Sequence, residues 1–398
     1  MSMKLGILCS HPIQYYAPIF RELAKRLDLQ VFYAYRQTEA GQAEAGFHVP
    51  FEWDIDLLQG YPHKFLNNVA VKADPSRFFG CDTPDIANEI QIGRFDAFLV
   101  LGWGVKSYWQ AVRACRRLNV PVMVRGDSRL GTSRSFIKRA IKKIIYPLVM
   151  RQFDACLYVG QDSKKYYQAY GVNSEKLFFS PHSVDNKRFS VEAEKTGKDE
   201  ARALLGLEAG RQVVLFVGKF IPIKRPMDIL QSALLLKQKN HPVHLLFAGD
   251  GPLRADIEAF AKTHDLNLSL IGFVNQSQLP VVYRAADLLV LPSETESWGL
   301  VANEAMACGL PVVVSNTVGC GPDLICKGKT GSVFEMGNIA ALSEAIHEVM
   351  QLMPAASEIQ YHIADYSPEK TTKGIMEAMQ WLSEKENKIA DKQSGGIE

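Results

Sequence analysis

Two glutamates, Glu296 and Glu304, bracket a glycine and the start of an apolar stretch within residues 292–311. The pattern predicts a strand ending at Leu291, a loop carrying Glu296, and a helix over about 300–308 that opens behind Gly299. A helix N-terminus offers unpaired backbone N–H groups and a partial positive charge, which suits a phosphate. Gly299 lets the backbone approach closely. Carboxylates only accept hydrogen bonds when ionised, so they grip hydroxyls well. Glu296 would then hold a sugar and Glu304 a ribose, either side of the anion site. The plainer alternative makes Glu296 a helix cap and Glu304 a solvated face residue.

A second cluster lies in residues 216–226. Gly218 follows a strand, and Lys219 and Lys224 stand five apart in the loop, with Arg225 beside them. Paired cations neutralise a diphosphate as charge develops on it. Solvated loop lysines are the competing account. A third loop, Gly249-Asp250-Gly251-Pro252, opens a helix after another strand. It is a weak dinucleotide fingerprint, because Arg254 occupies the third glycine position.

In this order the motifs resemble the donor site of retaining GT-B glycosyltransferases of family 4, the glycosyl transferases group 1. That family pattern is Glu, seven residues, Glu, with a glycine after the first Glu and Glu-Ala-Met-Ala-x-Gly-x-Pro following. Glu296 and Glu304 occupy the two Glu positions, and the likeness extends over about 213–334. The resemblance implies two Rossmann-like doubly wound parallel-sheet α/β domains facing a central cleft. It implies a nucleotide diphosphate-sugar as donor, no further cofactor and no metal. It implies catalytic roles for Lys219, Lys224 and Glu296, with the leaving phosphate itself taking the acceptor proton. Lys219 stands where the family has arginine and so lacks the bidentate fork. Gly218, Gly249, Gly251, Phe273, Gly299, Leu300, Val301 and Glu304 fall on the nucleotide side, Phe273 through its backbone.

The first half matches the family less. Residues 9–16 follow the first strand without the expected glycine, leaving His11 and Gln14 to touch acceptor or phosphate. Where relatives carry a histidine, this chain has Arg125 and Asp127. Asp127 is added to the catalytic set as a partner for a sugar hydroxyl, and Arg125 would face phosphate. His182 and Ser183 replace an Asn-Gly in a structural turn over 181–189. The Asp54-x-Asp56 pair reads as chance carboxylates rather than a metal site.

These motifs need strands to carry them. Apolar runs at 5–9, 97–101, 121–124 and 155–159, and again at 213–217, 244–248, 268–271, 288–291 and 311–315, alternate with helical stretches. That alternation implies a mostly parallel sheet in each half, with ligands at the carboxyl ends of strands. Domains are expected at 1–190 (acceptor side) and 205–365 (donor side), with a helix over 366–384 returning to the first domain and a disordered tail at 385–398. Residues 128–153 hold seven bases and no acid, with apolar residues at helical spacing and Pro147 expected to kink or break the helix. That helix either buries its apolar stripe or, over 134–151, touches an anionic membrane or lipid-linked acceptor.

With 398 residues, 47% hydrophobic and 22% charged, at a net charge of +2, the composition is globular and gives nucleic-acid binding little support. Seven scattered cysteines without a CxxC suggest neither zinc nor a disulfide framework. No apolar run is long enough to span a membrane, so a cytoplasmic setting, peripheral at the inner membrane face, is expected. The expected reaction is sugar transfer to a glycan, glycolipid or other hydroxyl acceptor, in surface polysaccharide or glycoconjugate assembly. A nucleotide-sugar epimerase and a non-catalytic sugar-nucleotide binding module are the alternatives.

Overall fold

The computed structural model describes residues 3–36, 52–130, 136–208 and 210–394. Arg134, the side chains of Lys138 and Arg139, and residues 395–398 lie outside the described residues. The chain divides into two compact units: Met1–Gln37 with Asp56–His182 and Pro368–Glu398, and Thr38–Ile55 with Ser183–Ser367.

The first unit has strands β1 (Lys4–Cys9), β2 (Asp28–Tyr33), β3 (His63–Phe65), β4 (Ala97–Val100), β5 (Val122–Gly126), β6 (Ala155–Tyr158) and β7 (Leu177–Phe179). They form a parallel sheet in the order β3-β2-β1-β4-β5-β6-β7. Helices α1 (Ala17–Ala24), α2 (Ile86–Gly93), α3 (Lys106–Leu118), α4 (Phe136–Met150) and α5 (Gln161–Ala169) connect the strands. Successive strand residues serve opposite faces. Leu8, Phe98, Val100, Val122 and Val124 join α2, α3 and α5 in one core. Leu5, Ile7, Ala97, Leu99 and Met123 join α1 in the other. Strands covered on both faces read as near-continuous apolar runs, which is why β1, β4, β5 and β6 stand out in the sequence.

Apart from Thr38–Ile55, the second unit starts at Ser183, ahead of the boundary expected between 190 and 205. Helix α6 (Asn186–Glu194) belongs to it: Phe189 is buried against Tyr283, ring centroids 6.1 Å apart. After α7 (Lys198–Leu204) come β8 (Val213–Val217), α8 (Pro226–Gln238), β9 (His244–Ala248), α9 (Arg254–Thr263), β10 (Asn267–Gly272), α10 (Leu279–Ala285), β11 (Leu288–Leu291), α11 (Leu300–Ala307), β12 (Val312–Ser315), α12 (Gly321–Leu324) and β13 (Gly331–Phe334). Helices α13 (Ile339–Leu352) and α14 (Ala356–Ile363) close the unit. Its parallel sheet runs β10-β9-β8-β11-β12-β13. Val214, Phe216, Leu245, Phe247, Leu288 and Val290 pack with α8, α9 and α13, while α11 packs on β11 and β12.

The last helix, α15 (Pro368–Ser394), returns to the first unit and packs on α1, β6 and β7. It continues ten residues past 384, so the expected disordered tail is helical up to Ser394. Residues 385–394 hold no glycine or proline that would interrupt a helix, so their mostly polar composition is compatible with one. Pro147 also fails to break α4, which runs on to Met150. Proline deletes one backbone hydrogen bond, and here it does so within the last turn.

Candidate donor site

Both sheets reverse their strand order once, between β1 and β4 and between β8 and β11. In open α/β sheets a ligand crevice forms outside the carboxyl ends of the strands at such a reversal. The second unit places the loops carrying Gly218–Lys224 and Ser293–Gly299 there. Glu294 N donates to Ile223 O at 2.8 Å, tying one loop to the other. The β12 loop pins the second as well, since Ser315 Oγ and Thr317 Oγ1 donate to Ser293 O at 2.7 and 2.8 Å.

The ion pair that results is Lys224 Nζ on Glu296 Oε2, both side chains about a quarter exposed. Lys219, half-buried in the same loop, has its pKa held below the ordinary lysine value by burial and then by the charge of Lys224. Arg225 is drawn away: in a left-handed conformation, it donates to both oxygens of the buried Asp228, at 2.7 and 3.1 Å. It is therefore an anchor for the start of α8 and not the extra diphosphate cation expected.

Gly299 stands at the N-cap of α11 with φ +100°, which a side chain rarely tolerates. A Cβ there would also lie 3.2 Å from Val318 Cγ1. The first turn of α11 contains no acid, and Leu300 and Val301 are half-buried. The N-terminal end of the helix thus adjoins the loop holding the Lys224–Glu296 pair.

Glu304, on the same helix, is fully buried, which excludes the solvated-face alternative. Tyr283 Oη donates to its Oε2 at 2.6 Å and Gln276 Nε2 to its Oε1 at 3.3 Å. Arg188 holds Gln276 through its carbonyl and its side-chain oxygen, both at 2.8 Å. The carboxylate expected at a ribose is thus seated in an internal network whose members, Tyr283, Gln276 and Arg188, were not singled out from sequence. They lie on three other segments, and no local spacing links them to Glu304.

The Gly249–Gly251 loop has a structural reason for both glycines. At φ +145° a Cβ on Gly249 would stand 1.9 Å from Gly218 O, and one on Gly251 2.7 Å from Phe220 O. The β9 loop lies directly on the β8 loop, with Phe220 N donating to Asp250 O at 2.8 Å. These glycines shape the lysine-bearing loop from behind. Phe273 follows Gly272, which ends β10 at φ +71°.

In the first unit, Arg125 does not face a phosphate position. It is 2% exposed and directed inward, donating to Ser180 O and Oγ at 3.2 and 3.1 Å and to Pro181 O at 2.7 Å. Asp127 stays half-exposed, and His182 Nε2 stands 3.8 Å from its Oδ2. Burial keeps the His182 pKa low despite that carboxylate. The 181–189 turn thus brings a histidine beside Asp127. His11 hydrogen-bonds Ser10 Oγ at 3.0 Å, and burial pushes its pKa down to about 4, so it is neutral at pH 7. Asp54 and Asp56 serve backbone: Asp54 accepts from Ser277 N at 3.1 Å, and Asp56 from Leu58 N and Gln59 N at 2.9 and 3.0 Å.

The chain is 30% identical over 230 residues to the protein named D-inositol 3-phosphate glycosyltransferase of Rhodococcus erythropolis, covering 54% of this chain and 51% of that one. It is 35% identical over 203 residues to the like-named protein of Mycolicibacterium smegmatis, covering 46% of each. The chain spans about half the length of the curated relatives it matches. Among solved structures it is similar to Anabaena Alr3699/HepE in complex with UDP, at TM-score 0.71 and 16% identity over 96% of this chain and 100% of that one. It is similar also to sucrose-phosphate synthase from Thermosynechococcus elongatus, at TM-score 0.67 and 19% identity over 96% and 99%. These likenesses establish the GT-B fold of two Rossmann-like domains. Residues 197–365, which carry Lys219, Lys224, Glu296 and Glu304, match the family described as Glycosyl transferases group 1.

Proposed function

We propose that this protein is a retaining glycosyltransferase, transferring a sugar from a nucleoside diphosphate donor to a hydroxyl acceptor. The observation that carries the reading is the Lys224–Glu296 pair, set beside the first turn of α11 where the second sheet reverses. As the bond between anomeric carbon and phosphate oxygen breaks, negative charge grows on the diphosphate. Lys224, Lys219 and the α11 N-terminus stabilise that charge. Glu296, on arrival of donor, exchanges Lys224 for the hydroxyls of the sugar. The acceptor oxygen enters on the face the diphosphate leaves, and its proton passes to a phosphate oxygen. Glu304 grips the ribose once the donor draws it from its internal partners. Gly218, Gly249, Gly251 and Phe273 complete the nucleotide side, and no protein nucleophile or metal takes part. Asp127, in the first unit, holds an acceptor hydroxyl.

The first donors to try are UDP-sugars, since solved structures of this fold hold UDP and UDP-glucose. Acceptors to try include glycans, glycolipids and, from the names of the curated relatives, an inositol phosphate. Surface polysaccharide or glycoconjugate assembly is the setting this reaction would serve. The test measures release of nucleoside diphosphate with each donor and acceptor, and reads the anomeric configuration of the product by NMR. Lys224→Ala should lower kcat by about 10²–10³-fold with a smaller change in KM. Release at the wild-type rate in that variant, or inversion at the anomeric centre, would sink the mechanism. An epimer formed without acceptor would move the assignment to the epimerase class.

A further inference from the structure

The acid-free run 128–153 belongs to the first unit. It builds α4 of the first unit. One face of α4 is ordinary core: Tyr146, Val149 and Met150 pack with Phe153 beneath the helix. The other face is not. Ile141 is 49% exposed, Ile144 74%, Ile145 48% and Leu148 56%. Their spacing of three, four and seven residues puts all four on one stripe. Leu130, 46% exposed, lies shortly before the helix. Single exposed hydrophobics are common on any surface, but a contiguous stripe of large aliphatic side chains marks an interaction site. The expectation of a buried stripe under a solvated basic face is therefore only half right, because α4 carries apolar side chains on both sides.

The charges around the stripe decide what covers it. Among the described cations, Lys142 rests with its Nζ 5.4 Å from the Tyr146 ring centre, while Lys143 and Arg151 are exposed. Arg129 is answered by Asp162 at 3.1 Å and does not contribute. No acid occurs between 128 and 153, although the whole chain is nearly neutral. A second copy of this chain, docking the same stripe by two-fold symmetry, would set these cations against their own kind. A surface of phosphate headgroups over an acyl layer complements both properties at once.

We propose that α4 is a membrane-docking helix that lies in the surface of an anionic bilayer, with Ile141, Ile144, Ile145 and Leu148 inserted and Lys142, Lys143 and Arg151 on the headgroups. The proposal does not depend on the transfer reaction. It brings the first unit to the surface where a lipid-linked acceptor would reside.

The test is co-sedimentation of the full chain with phosphatidylglycerol vesicles and with phosphatidylcholine vesicles. Wild-type protein should bind the anionic vesicles, bind the zwitterionic ones far less, and be partly released by salt. The double variant Ile144→Asp/Ile145→Asp should lose at least about tenfold in affinity, with an unchanged melting temperature because both side chains already face out. The pair Lys142→Gln/Lys143→Gln should lose the preference for anionic lipid while keeping the fold. Failure of the wild type to bind anionic vesicles would overturn the proposal. So would unaltered binding by the aspartate variant, or a wild-type dimer that this variant splits, which would make the stripe a contact between copies.

Discussion

Lys219 is a residue whose usefulness to a ligand works against the free protein. Burial disfavours its charged form, and Lys224 adds like-charge repulsion, so its folded pKa lies below the ordinary lysine value of 10.5. The sign follows from linkage. Below the folded pKa the residue is charged in both states, and the folded protein bears the whole penalty. As pH climbs from the folded pKa to the unfolded one, the folded state releases its proton first, and the penalty disappears. Lys219→Met should therefore melt higher than wild type at neutral pH, and the gap should narrow as pH enters the ordinary lysine range. A bound diphosphate reverses the preference by favouring the charged amine. Wild-type affinity for UDP should fall as pH rises through the lowered pKa, and the Met variant should bind weakly at every pH. Thermal melting and calorimetric titration across pH check both, and a UDP affinity independent of pH would remove Lys219 from the phosphate. At this scale the sequence singled out Lys224 and Glu296, which the structure pairs, because both sit in loops behind strands, where spacing reports position. It misplaced Arg125 and Arg225, since a guanidinium at a strand end or in a loop looks the same in sequence whether it faces a ligand or, as here, Ser180 and Asp228.

At the scale of elements, Gly374 shows how a poor helix residue can be the right one. It lies inside α15, where alanine would ordinarily be better by about 1 kcal/mol. A Cβ at this position, however, would stand 1.8 Å from Phe179 O and 3.1 Å from Ser180 Cα. The helix approaches the end of β7 backbone to backbone, and Thr371 Oγ1 donates to Pro181 O at 2.7 Å in the same contact. Gly374→Ala should thus destabilise the first unit by roughly 1–3 kcal/mol, despite the gain in propensity. Chemical denaturation measures it, and an unchanged or raised midpoint would show that the helix can back away freely. The bounds of β8, β9 and β11 were readable residue by residue because these strands are apolar on both faces. Strand β3, His63–Phe65, has two exposed polar residues and only three positions, too few for either periodicity to register.

For the molecule as a whole, the chain path makes the first unit depend on the last segment of the sequence. Ile375, Met379 and Leu382 are 1%, 2% and 5% exposed, and they fill the core formed by β1, β4 and α1. Burying three such side chains is worth roughly 1.5–3 kcal/mol apiece, comparable in sum to the whole stability of a domain at about 5–15 kcal/mol. The second unit owes nothing to them, because its core is built from β8, β9, β11, β12 and their helices. A chain ending at Ser367 should therefore lose the first unit's cooperative unfolding and keep the second's. Scanning calorimetry of the full chain should show two transitions, only one of which UDP raises. The shortened chain should retain that UDP-sensitive transition near its original temperature and lack the other. Retention of both would mean the first sheet is stable without α15. Loss of both would mean the second unit cannot fold unless the first is intact, despite a core drawn wholly from its own residues.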